Sequence, residues 1–111
     1  MSVKVMVERR GRALVAKVQA ETLETENVSL FRQSIAPIMD QADDIVLDLS
    51  EVGFMDSTGL GAMLSCLRHM KAKAGTLRIA ALTPEVRRLF DMVMMDRVFE
   101  IYPDVDAAMA R

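Results

Sequence analysis

The sequence predicts an α/β domain: a mixed β-sheet that opens with an N-terminal antiparallel hairpin and continues through alternating helices and strands in the order ββαβαβαβα. Three observations lead there. Val3, Val5 and Val7 alternate with polar residues, and across the turn Arg10-Gly11-Arg12 the apolar stretch Ala13–Val18 follows, which is a hairpin pattern. Ile45-Val46-Leu47, with Leu49 close behind, is a nearly continuous apolar run of strand length, the mark of a central strand covered on both faces. Leu60, Met63, Leu64, Leu67 and Met70 recur at helical spacing until Lys71, Lys73 and Gly75, a basic last turn with a glycine stop.

The other elements follow in order. From Thr25 the period turns helical, with Val28, Phe31, Ile35, Ile38 and Met39 on one face to about Gln41 and Thr25 or Asn27 in the N-cap position. Pro37 lies inside that helix and lacks a backbone donor, so a bend or a weakened last turn is expected. A short loop containing Gly53 then leads into the second helix, which should begin within a residue or two of Ser57. Thr76–Ala80 supplies another strand. Thr83-Pro84-Glu85 combines an N-cap, a first-turn proline and a first-turn acid ahead of Val86, Leu89 and Phe90, which defines the third helix. Val98–Ile101 reads as the last strand, and residues 104–109 as a closing helix.

Composition bounds the function. The 111 residues, 51% hydrophobic and 27% charged, suit one domain over 1–111. A chain of this size should keep about 6,100 Å² of surface exposed out of about 18,000 Å² unfolded, enough burial to fold without a metal or disulfide staple. A net charge of -2 with scattered basic residues argues against nucleic acid as a partner. The one cysteine, Cys66, and the one histidine, His69, cannot form a metal cluster or an internal disulfide, and they leave few bases or nucleophiles. No enzyme activity, metal or cofactor is therefore expected. The absence of a Gly-x-x-x-x-Gly-Lys-Ser/Thr loop weighs against a nucleotide-hydrolysing domain. With no signal-peptide h-region and no long apolar run, the expected setting is the cytoplasm, without membrane insertion.

The segment Phe54-Met55-Asp56-Ser57-Thr58-Gly59-Leu60-Gly61 joins a buried strand to a helix start, where free N–H groups and the helix dipole favour an anion. On local physics alone Asp56, Ser57 or Thr58 simply caps the helix. In context the segment strongly resembles the STAS domain, the family of bacterial anti-sigma factor antagonists. The likeness begins at Ile45-Val46-Leu47-Asp48-Leu49-Ser50 and runs through Glu51–Gly61 and Gly75-Thr76-Leu77-Arg78-Ile79. It continues over Thr83-Pro84-Glu85-Val86-Arg87-Arg88-Leu89-Phe90-Asp91-Met92 to Asp96–Tyr102, covering more than half the chain.

The resemblance implies a non-enzymatic switch. The unphosphorylated domain would bind an anti-sigma factor that is also a serine kinase of the histidine-kinase-like ATPase type, which frees the sigma factor. It places the phosphoacceptor at Ser57, with Thr58 its variable neighbour, and partner contacts at Asp56, Ser57, Thr58, Gly59, Leu60 and Glu24. A phosphate adds about -1.5 to -2 charge and three acceptor oxygens, next to the negative charges of Asp56 and Glu51. The chain departs from the family where Ala20-Glu21-Thr22-Leu23-Glu24 replaces a Gly-Glu-Leu-Asp string, putting Glu24 in the usual Asp position. Val93-Met94-Met95 also stands where a glycine is common, which asks Met94 for a glycine-like conformation. Other STAS domains are subunits of ABC-type lipid-transport complexes or stressosome-like scaffolds, and these are the alternative readings.

Four further features have ordinary explanations. Met92, Met94 and Met95 read as a mixture of core filling and adaptable contact surface. His69 belongs to a solvated helix face, and Cys66, outside the apolar stripe, is a structural thiol. Asp48 is either a strand-end residue near the turn or a satisfied structural carboxylate.

Overall fold

The computed structural model describes residues 2–110. Strand β1 (Lys4–Arg10) pairs antiparallel with β2 (Ala13–Gln19), as the alternating valines require. Gly11 turns the hairpin at φ +62°, a left-handed conformation that costs glycine nothing. Strand β4 (Asp44–Asp48) pairs parallel with β2, with Leu14 opposite Ile45 and Ala16 opposite Leu47. On its other side lies β6 (Thr76–Ala80), followed by β7 (Glu100–Tyr102), so the sheet order is β1-β2-β4-β6-β7 with β4 in the middle. Ile45, Val46 and Leu47 have no exposed surface, which accounts for the unbroken apolar run.

Alternation along the strands divides the core in two. Leu14, Ala16, Ile45, Leu47, Leu77 and Ile79 point to one face. There they meet α1 (Val28–Met39), α2 (Ser57–Ala72) and α3 (Pro84–Met92) through Phe31, Ile35, Met63, Leu67 and Phe90. Val15, Val46 and Ala80 point the other way, where α4 (Val105–Met109) covers them with Ala108. Arg78 is buried on that side and ties it together, donating to the carbonyl of Ala108 and to the carboxylate of Asp44.

Several expectations need correction. Residues 51–56 are more than a loop, because Phe54–Met55 forms strand β5, which pairs parallel with β3 (Thr22–Leu23). Two-residue strands have no periodicity to read. The last strand starts at Glu100, two residues later than expected, because Met95–Arg97 closes a 3₁₀ turn first. The first helix spans only Val28–Met39 and continues through Pro37; the carbonyl that Pro37 cannot bond belongs to the exposed residue Gln33. Cys66 is buried in α2, not off its apolar stripe, and burial pushes its thiol up to about 11, so it is inert. Met94 does adopt the left-handed conformation, at φ +60°. Of the methionine group Met95 packs on the core, while Met92 and Met94 stay exposed.

This arrangement assigns unequal weight to apolar residues. Leu47→Ala should cost about 2–5 kcal/mol, because it opens a cavity in the middle strand, while Met92→Ala, at a position 74% exposed, should stay within about 0.5 kcal/mol of wild type. Urea denaturation of both variants checks this, and similar losses would contradict the core assignment.

Candidate functional site

The 54–61 segment is organised by one carboxylate. Asp56 is the N-cap of α2, and its Oδ1 accepts from Thr58 N at 2.9 Å, Gly59 N at 3.1 Å and Thr58 Oγ1 at 2.6 Å. Its Oδ2 accepts from Thr25 N at 3.2 Å and Thr25 Oγ1 at 3.3 Å, on the loop that follows β3. The same carboxylate thus satisfies helix-start donors and pins a segment that is distant in sequence. These donors, Thr58 Oγ1 first, hold the Asp56 carboxyl below the usual aspartate range against a smaller opposing effect of burial.

Backbone pairing brings the two segments together. Gly53 N and Phe54 N both donate to Glu21 O, and Asp56 N donates to Leu23 O, extending the β3–β5 ladder into the turn. Asn27 is buried and sits at the N-cap of α1, yet its side chain does not cap the helix. Its Oδ1 instead accepts from Glu24 N at 2.9 Å, and its Nδ2 donates to Thr22 O at 2.7 Å, which fixes the loop carrying Glu24 and Thr25. Thr83 likewise uses its hydroxyl to hold Val52 O at 2.8 Å, steadying the chain just before the turn.

The two neighbouring hydroxyls differ. Ser57 is exposed at the first position of α2 and its side chain makes no hydrogen bond to any described residue, while the Thr58 hydroxyl is half-buried and committed to Asp56. Gly59 and Leu60 are buried, so neither offers side-chain surface. Gly59 is required by close approach: a Cβ there would lie 2.5 Å from both Leu23 O and Met55 Cγ. Glu24 is half-buried and lines a cleft of ≈ 540 Å³ with Glu21, Thr22, Asn27 and Glu51. Glu51 is paired with Lys17 at 3.1 Å, so its charge is partly offset.

Sequence reasoning missed Thr25 and Asn27 as organisers of the turn, because their partners lie across a ladder that leaves no pattern in the sequence. Phe54, the first residue of the 54–61 segment, is 45% exposed and borders an apolar groove with Leu89 and Met92. Asp48 ends β4 and accepts from Ser50 N at 2.9 Å, so it is both a strand-end residue and a satisfied carboxylate. Among the described residues His69 pairs with Asp40, at 3.2 Å, and both are exposed.

A family model of the STAS domain matches residues 4–108. The chain belongs to the STAS domain family. It is similar to the anti-sigma-B factor antagonist of Bacillus subtilis, 26% identical over 101 residues that cover 91% of this chain and 92% of that one. It is also similar to the anti-sigma F factor antagonist of Paenibacillus polymyxa, 28% identical over 104 residues covering 92% and 88%. The crystal structure of an anti-sigma factor antagonist from Mycobacterium paratuberculosis superimposes with a TM-score of 0.86 at 25% identity, covering 98% of this STAS domain and 92% of that chain. No helix among the described residues is long and apolar enough to cross a membrane.

Because the folded Asp56 has a lowered pKa, its contribution to stability is complete above the ordinary aspartate value of about 3.9 and disappears as pH falls through the folded value. The stability gap between wild type and Asp56→Asn should therefore be largest near neutrality and close in acid. Thermal melts from pH 7 down to about pH 2 check it, and a gap independent of pH would show that the carboxylate charge contributes nothing.

Proposed function

We propose that this STAS domain is a phosphorylation-switched interaction module that, unphosphorylated at Ser57, binds an anti-sigma factor and so releases the sigma factor. The reading carries the anti-sigma partner over from the antagonists named above, and it takes that partner to be a serine kinase of the histidine-kinase-like ATPase type. The single observation behind the choice of acceptor is the contrast at the helix start. Ser57 offers a free, exposed hydroxyl, while Asp56 occupies that of Thr58 at 2.6 Å.

In the proposed step the Ser57 Oγ attacks the terminal phosphorus of ATP held by the kinase. The Oγ–P bond forms, the bond to the bridging oxygen breaks and ADP leaves, and the hydroxyl proton goes to a base of the kinase. The chain is substrate and catalyses nothing itself. Its contact surface consists of Asp56, Ser57, Thr58 and Glu24, widened by the exposed ring of Phe54, while Gly59 and Leu60 seat the turn from beneath. Phosphate adds about -1.5 to -2 charge at the start of α2, where the dipole tolerates it. A partner packed over the same turn meets that charge together with Asp56, so binding is lost while the fold persists. Such a partner places the chain in the cytoplasm.

Stability and binding should therefore separate. Ser57→Ala should melt within about 1 kcal/mol of wild type, since the side chain makes no hydrogen bond to a described residue, and should bind the partner without regulation. Ser57→Glu should fold as well or slightly better, by about 0.3–1 kcal/mol from the helix dipole, yet bind at least tenfold more weakly. Calorimetric titration with the anti-sigma kinase encoded nearest in the genome, with mapping of the phosphate it transfers, decides the matter. Phosphate on Thr58, or full binding by Ser57→Glu, overturns Ser57 as the switch, while a chain that neither binds that kinase nor is phosphorylated by it favours a transport-complex or scaffold role.

A further inference from the structure

Strand β1 is a long free edge. It stands at the end of the sheet, pairs only with β2 among the described residues, and runs for seven residues, whereas the opposite edge strand β7 has three. Sheet edges are normally blunted by short strands, prolines or charged side chains, and of these β1 has only the charges, on Lys4, Glu8, Arg9 and Arg10. Here the middle of the edge carries Met6 at 55% exposure and Val7 at 44%. On the face opposite α1 and α2, Lys4, Met6 and Glu8 succeed one another. Neither Lys4 nor Glu8 has an ion-pair partner among the described residues.

We propose that β1 pairs antiparallel with β1 of a second copy about a two-fold axis through Met6, continuing the sheet across a homodimer. In a two-fold antiparallel pair, opposed residues must lie on the same face of the sheet, which allows only registers centred on a residue. Centred on Met6, Lys4 faces the partner subunit's Glu8 and Glu8 faces the partner subunit's Lys4, so the symmetry satisfies both unpaired charges twice. Met6 meets its own counterpart, and Val5 meets the partner subunit's Val7 on the core side, where Val5 already packs.

The neighbouring registers fail. Centred on Val7, the strand opposes Lys4 to Arg10 with like charges, and centred on Glu8 it puts the two Glu8 carboxylates together and matches Met6 with Arg10. Centring on Val5 matches Lys4 with Met6 and leaves both ion pairs unmade. Charge complementarity therefore selects both the occupant, a second copy of this chain, and the register. The inference does not rest on the reading of Ser57, with which it shares no residue.

Sedimentation equilibrium of the whole chain tests it. At about 100 µM, in the range expected for a small interface, wild type should show twice its monomer mass of 12.4 kDa. Lys4→Glu and Glu8→Lys should each raise the dimer dissociation constant roughly tenfold or more by turning both ion pairs into repulsions, and Met6→Lys should leave only monomer. The double variant Lys4→Glu/Glu8→Lys should restore the dimer, because the charges are exchanged and still complementary. Both positions are exposed, and circular dichroism confirms folding of each variant. A monomeric wild type overturns the proposal, as does a dimer indifferent to the single changes or a double variant that stays monomeric.

Discussion

The Asp56 carboxylate is the constraint on which the turn at the start of α2 depends. Its Oδ1 takes three donors from the first turn of α2 and its Oδ2 takes two from Thr25. A helix start leaves backbone N–H groups without partners, and any capping residue would have met part of that need. An aspartate does more, because its second oxygen remains available for the loop after β3. The consequence is a rigid turn with one hydroxyl tied and its neighbour free.

The rest of the fold serves that geometry. Strand β4 is buried on both faces and sets the direction in which the chain leaves the sheet. The β3–β5 ladder brings Leu23 beside Met55, and helix α2 approaches so closely that only glycine fits at position 59. Asn27 and Thr83 each hold one side of the turn, so a phosphate placed on Ser57, as proposed, would leave the elements beneath it packed. In the proposed switch, local charge would alter what can dock while packing keeps the backbone in place.

The large elements were legible in the sequence for clear reasons. The valine alternation of β1, the apolar run of β4 and the helical spacing of α2 each repeat a periodicity several times, so a pattern accumulates. The family likeness rested on the Asp56–Leu60 string together with the strand at 45–50 before it and the Thr83–Leu89 segment after it, and the family match over residues 4–108 bears it out. What escaped was short or mediated by side chains. The two-residue strands β3 and β5 have no period, and Asn27 and Thr83 occupy cap positions but spend their side chains on distant carbonyls. Nothing in the sequence distinguishes an aspartate that caps from one that also bridges. Cys66 was misplaced because the apolar face of α2 is broader than the strict stripe, and Met92 stays outside because α3 ends at the surface.

The bridge can be tested at its two ends at once. In wild type the amides of Thr25, Thr58 and Gly59 are all bonded to Asp56, although Thr25 belongs to a different loop. Amide hydrogen exchange followed by NMR, compared between wild type and Asp56→Ala, reads each amide separately. The account predicts that all three lose protection together, Thr25 included, while the amides of β4 keep theirs. If Thr58 and Gly59 open but Thr25 stays as protected as in wild type, Asp56 is only a helix cap and the bridge that organises the site does not exist.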